Sequence, residues 1–90
     1  EFARPTQVTV YSLEELNSAL KTVDVVSIEY HFERGDFERW VKHVIGDNTL
    51  SEKLRELSGQ KLSGEMLRKK TCNLVESRIK ELKAIAKSSA

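Results

Sequence analysis

Residues 24–33, Asp24-Val25-Val26-Ser27-Ile28-Glu29-Tyr30-His31-Phe32-Glu33, decide the fold class. Their Val, Ile, Tyr and Phe content suits a strand, where branched and aromatic side chains pack on a pleated surface. Asp24 as an N-cap, with Val25, Ile28 and Phe32 along one side, suits a helix. The helical reading is favoured, because a strand needs a partner and the rest of the chain offers few.

Downstream the pattern is plainly helical. Gly35 permits a reversal and Asp36 is expected to cap the next helix. Phe37, Trp40, Val41, Val44 and Ile45 then recur at i, i+3, i+4, i+7 and i+8, a broad apolar stripe. Gly46 suits the left-handed position that ends a helix, and Asp47 can cap a following one that carries Leu50, Leu54 and Leu57. Ser58-Gly59-Gln60 interrupts that helix. Ser63 opens the last and longest one, with Leu62 and Leu67 placed as a hydrophobic staple. Its buried stripe is Leu67, Leu74, Val75, Ile79 and Leu82, while Lys69, Lys70, Lys80 and Lys83 face outward.

Upstream, Ser12-Leu13-Glu14-Glu15 fits a capping box that starts a helix bearing Leu13, Leu16 and Leu20 and ending near Thr22. Residues 1–11 contain Pro5 and the alternation Val8-Thr9-Val10-Tyr11, and so read as an extended arm or one short strand; Glu1-Phe2 reads as a tag remnant. The expectation is an all-α fold, a compact bundle of four to five helices over residues 12–87 with a frayed tail at 88–90. Trp40, Phe37, Leu16, Leu20, Ile28, Leu54, Leu74 and Ile79 are its expected core.

Ninety residues make one domain, which buries roughly 60–65% of the surface its unfolded chain exposes. One cysteine, Cys72, excludes an internal disulfide. No apolar run approaches the roughly 18 residues of a membrane helix, and the start lacks the pattern of a secretory signal. These features give a cytoplasmic expectation with no membrane partner. The net charge of +1 is unevenly placed: residues 1–51 hold five basic against nine acidic residues, net −4, and residues 52–90 hold ten against five, net +5. Such asymmetry can attract an anionic partner, or the two halves can complement each other.

Chemistry-bearing patterns are sparse. Arg34-Gly35-Asp36 spells a cell-adhesion tripeptide but reads as a turn and a cap. His31, His43 and Cys72 are too few and too scattered for a zinc site, so no metal or other cofactor is expected. Cys72 lies mid-helix with Lys69 and Lys70 within a turn. A cation could activate an exposed thiol, whereas a buried cysteine is simply a small apolar residue. No phosphate loop, nucleophile–base pair or small-molecule site is evident, and an enzyme is not expected. The best functional signal is the basic set Lys61, Arg68, Lys69, Lys70, Arg78, Lys80 and Lys83, a candidate anion or nucleic-acid face. Glu65, Glu76 and Glu81 interrupt it, and the pI of about 8.1 is below that of a concentrated nucleic-acid footprint.

Three segments, Ser27-Ile28-Glu29-Tyr30-His31-Phe32, Asp36-Phe37-Glu38-Arg39-Trp40 and Gly46-Asp47 with Leu50, resemble an uncharacterised archaeal and bacterial family known only as a domain of unknown function. Its pattern runs Ser-x-x-x-His-Phe, Asp-Phe-x-x-Trp, Gly-Asp-x-x-Leu, and the likeness covers roughly 55 residues, Ser12 to about Leu67. The resemblance implies an all-helical fold, makes residues 27–33 helical, and implies no activity. The sequence therefore leads to a non-enzymatic interaction or accessory domain, with a protein partner or self-association through the last helix. The alternative is a nucleic-acid-binding module that uses the basic C-terminal helix.

Overall fold

The computed structural model describes residues 6–89, and side chains from 8 to 87. The helices are α1 (Thr6–Thr22), α2 (Val25–Glu33), α3 (Asp36–Trp40, continued by a π-helical turn at Val41–Ile45), α4 (Asn48–Ser58) and α5 (Gly64–Ser89). No strand occurs among the described residues. The decisive stretch is helix α2: Asp24 caps it by accepting from the Val26 amide, and it buries Ile28 and Phe32. Ile28 and Phe32, whose types favour strands, are here drawn into a helix by the core they fill, while Val26 stays exposed.

α5 is the mast of the bundle. Twenty-six helical residues extend about 39 Å at 1.5 Å each, and the molecule's longest dimension is 40 Å. α1 lies antiparallel along it. Glu14 meets Lys83, Asn17 and Lys21 both meet Glu76, and the Leu20 carbonyl accepts from Arg68. Beneath these contacts Leu13, Leu20, Leu67, Val75 and Ile79 are buried. α2 and α4 pack on other sides of α5, whereas α3 rests chiefly on α2 and α4.

The N-terminal expectation is corrected over residues 6–11, which begin α1 and form neither an arm nor a strand; residues 1–5 lie outside the described residues. Val10 packs against the core three residues before Leu13, so apolar burial extends the helix upstream. Ser12 is therefore no cap. Glu15 faces Tyr11 instead, and the hydrogen bond and charge of that carboxylate hold the phenol above its ordinary range. The expected tail at 88–90 is helical through Ser89, and Ala90 lies outside the described residues.

The α3 stripe divides. Val41 and Ile45 are buried and Phe37 is half-buried, but Trp40 is 37% and Val44 48% exposed. Five apolar positions at 100° per residue span roughly 140° of the helix, more than the contact with its neighbours covers. Trp40 was expected in the core and lies on its outer margin. Leu16 and Leu74 pack on the core but are only partly buried. Gly46 ends the π turn in the left-handed region, φ 84°, donating its amide to Val41 O at 2.8 Å.

Asp47 is the polar keystone. One carboxylate oxygen accepts from the Leu50 amide at 3.1 Å and starts α4; the other accepts from Arg78 Nε at 2.7 Å. The side chains of Asp47 and Arg78 are only 4% and 17% exposed. Burial alone would lower the Arg78 pKa, but hydrogen bonds to Asp47 and Glu81 outweigh it and raise the net value. The start of α5 is closed from a distance, because Glu29 in α2 accepts from the Gly64 amide at 2.6 Å. Leu62 and Leu67 flank that start as expected, the first partly buried and the second fully.

Asp47→Ala should lower unfolding stability by about 3–5 kcal/mol, since it leaves a mostly buried guanidinium unpaired and removes a helix cap. A denaturant titration of parent and variant checks this. Thr71, 1% exposed, has a hydroxyl with no hydrogen-bond partner. Thr71→Val should therefore be neutral or stabilising by up to about 1 kcal/mol in the same assay.

A candidate docking groove between α1 and α3

α1 leans on α5 and barely touches α2, and a furrow opens where α1 faces α2 and α3. Leu16, Ala19 and Val23 form one wall, because they fall on the α1 face next to the one that packs on α5. Ser27 and His31 from α2, with Phe37 and Trp40 from α3, form the other wall. Two adjoining hollows of about 170 and 330 Å³ share Leu16, His31 and Phe37. Trp40, the chain's only tryptophan, stands at the larger one.

The polar edge of the larger hollow is built on the α2–α3 turn. Gly35 adopts φ 73°, and its bare Cα leaves room for the Arg39 guanidinium, which would lie 3.2 Å from an added Cβ. Arg39 reaches over the turn, with Nη1 donating to the Arg34 carbonyl at 2.8 Å and Nη2 to Asp36 Oδ1 at 2.6 Å. Asp36 Oδ2 also meets His31 Nδ1 at 2.8 Å and accepts from Arg34 Nε at 3.3 Å. Arg34 in turn lies over the Tyr30 ring, 5.3 Å from its centroid, and donates to the Tyr30 hydroxyl. The hydrogen bond with His31 holds the Asp36 carboxyl below its usual range; burial opposes it, and Arg34 and then Arg39 add to the lowering. Asp36 thus organises the turn through its side chain. It does not cap α3: Gly35 occupies the cap position and no side chain bonds there.

The basic residues singled out in the sequence are dispersed. Arg68 is engaged with the Leu20 carbonyl and Glu65, Arg78 with Asp47 and Glu81, and Lys83 with Glu14. Lys61, at φ 58°, precedes α5 and borders a separate hollow beside Glu29 and Glu33. Lys69, Lys70 and Lys80 are exposed on α5, but only Lys69 and Lys80 share one helical edge. Cys72 is buried. Burial first, then the charge of Glu76, pushes its thiol up, against weaker opposing effects of Lys21 and Arg68. Among the described residues no three His, Cys, Asp or Glu side chains converge as metal ligands, and no helix is long and apolar enough to cross a membrane.

Neither a family model, nor a curated protein, nor a solved structure matches this chain. The groove's character therefore rests on its own geometry. Sequence reasoning had placed Trp40 inside and Asp36 as a cap, and so missed the site. The available signals were a stripe too wide for one contact and a His31–Asp36 pair brought face to face by a glycine turn.

Two carboxylates are held below their ordinary range: Asp36 by His31 and the arginines, and Glu76 by Asn17 first and then Lys21. Each contributes stability that is present above the ordinary carboxylate pKa of about 4 and lost as pH falls through its lower folded value. Stability of the parent should therefore fall between about pH 5 and 2. Asp36→Asn should be less stable at pH 7 and lose less over that window, as followed by chemical denaturation across pH.

Proposed function

We propose that this chain is a non-enzymatic docking domain whose groove between α1 and α3 receives an amphipathic helix from a protein partner. The observation that carries the reading is Trp40, more than one-third exposed at the larger hollow, on rigid helical walls lined by Leu16 and Phe37. Half-exposed aromatics beside a preformed apolar hollow are the usual anchors of interfaces, where tryptophan contributes most per residue. A helix laid along a furrow and anchored at i, i+3 or i+4, and i+7 fits an elongated opening of this kind. Small Ala19 and Ser27 on facing walls allow a partner backbone to approach closely.

The alternative, nucleic-acid binding along α5, retains Lys69, Lys70 and Lys80, because Arg68, Arg78 and Lys83 already have protein partners. Three lysines spread over two edges supply few phosphate contacts.

Selection of displayed peptides of about 16 residues against the chain tests the reading. Binders should carry helical apolar spacing, shift the backbone resonances of Leu16, His31, Phe37 and Trp40, and lose at least about tenfold in affinity on Trp40→Ala. Shifts confined to Lys69–Lys80 with a DNA duplex, and none with any peptide, would replace docking with the nucleic-acid reading.

A further inference from the structure

Three side chains border both hollows of the groove, and of these only His31 is polar. Its ring is firmly held. Nδ1 meets Asp36 Oδ2 at 2.8 Å, and the Tyr30 and Phe37 rings lie 5.2 and 6.0 Å away between centroids. Asp36 is ionised at neutral pH, because its carboxyl is held below the usual range, and an ionised carboxylate can only accept. Nδ1 therefore carries the proton of the neutral imidazole, and Nε2 is left as a bare acceptor. Among the described residues nothing donates to it.

The other acidic group of the groove is already engaged. Asp36 Oδ1 accepts from Arg39, and Oδ2 accepts from Arg34 as well as from His31. Asp36 lines only the larger hollow, whereas His31 continues into the smaller one beside Ser27 and Ala19. The ring beyond Nδ1 thus borders largely apolar space and brings one uncommitted acceptor to it. A cation entering there would lose its hydration with no free carboxylate to replace it. A plain hydrocarbon would cover Nε2 and leave it unpaired, which lowers its affinity. A ring with an apolar body and one O–H at its tip satisfies both features.

Resting on the docking reading above, we infer that the anchor of the partner helix is a tyrosine, its ring in the groove and its hydroxyl donating to His31 Nε2. Leu16, Phe37 and Trp40 pack the ring. Asp36 is a positioning residue: it fixes the imidazole tautomer and does not touch the phenol. The groove thereby distinguishes Tyr from Phe at the anchor, a choice that apolar complementarity alone does not make.

The experiment uses the full, isotope-labelled chain and tryptophan-free peptides from the display selection, made in pairs that differ only in Tyr or Phe at the anchor. Imidazole nitrogen shifts should show Nδ1 of His31 protonated and Nε2 bare in the free chain. Nε2 should then move on addition of the Tyr peptide or of p-cresol, and stay in place with the Phe peptide or toluene. By Trp40 fluorescence, the Tyr peptide should bind the parent about three- to tenfold tighter than its Phe counterpart, and His31→Phe less than about twofold tighter. Should that variant not fold, the Nε2 response of the parent decides alone. A protonated Nε2 in the free chain, a Phe peptide that binds as tightly as its Tyr counterpart, or a preference that survives His31→Phe would overturn the inference and leave docking standing. p-Cresol that moves Nε2 while no peptide binds would overturn docking, and with it the tyrosine, in favour of a free phenol. Failure of every peptide and probe to perturb Trp40 or Nε2 would overturn both readings.

Discussion

The antiparallel packing of α1 along α5 is the constraint from which the rest follows. Once Leu13 and Leu20 are committed to the α5 face of Val75 and Ile79, α1 cannot also close against α2. α2 and α4 take other sides of the same mast. α3 is left to rest on its sequence neighbours, with the Val41–Ile45 edge of its stripe inward and the Trp40–Val44 edge outward. The groove is thus what remains when three helices share one long partner and the fourth does not. Its walls are as rigid as the packing that leaves it open, because Leu16, Phe37 and Ile28 each touch the core on one side and a hollow on the other.

Two long-range polar contacts make that arrangement specific. Glu29 closes the start of α5 from a helix 35 residues earlier in the sequence, and Arg78 reaches the carboxylate that caps α4. Each couples a helix end, where unpaired backbone groups lie, to a distant element. A slip of α5 by one turn along its axis would break both at once. Apolar packing alone would tolerate such a slip more readily, because apolar residues recur along α5 at Leu67, Leu74, Val75, Ile79 and Leu82.

Much of the fold was legible where a local rule and the core agreed. The end of α3 at Gly46, the cap at Asp47, the break at Ser58–Gln60 and the Leu62–Leu67 pair all follow from residue type and spacing over a few positions. The failures share one cause. Ser12–Glu15 satisfies a capping pattern locally, yet Val10 gains more by packing than the chain gains by starting a helix there. Trp40 satisfies a core pattern, yet the number of faces available to α3 depends on where α1 goes. The charged residues were the least legible. Arg68, Arg78 and Lys83 look like neighbours of Lys69, Lys70 and Lys80 in the sequence, but 100° per residue turns them toward α1 and α4. Nothing within α5 announces Leu20, Asp47 or Glu14 as their partners.

The same reasoning explains why the ordered arginines sit on a turn rather than on the long helix. An arginine on an open helix face samples many rotamers, and ordering it on binding offsets much of what its contact contributes. Arg34 and Arg39 are already ordered, by Asp36, by a main-chain carbonyl and by the Tyr30 ring, at a place where Gly35 leaves room for the guanidinium. The cluster gives up part of its positive charge to Asp36 and so attracts weakly at long range. In return its guanidiniums are held in one geometry over the turn. Such an arrangement favours discrimination among partners over capture from a distance. Lys69, Lys70 and Lys80, exposed on α5, have the opposite balance.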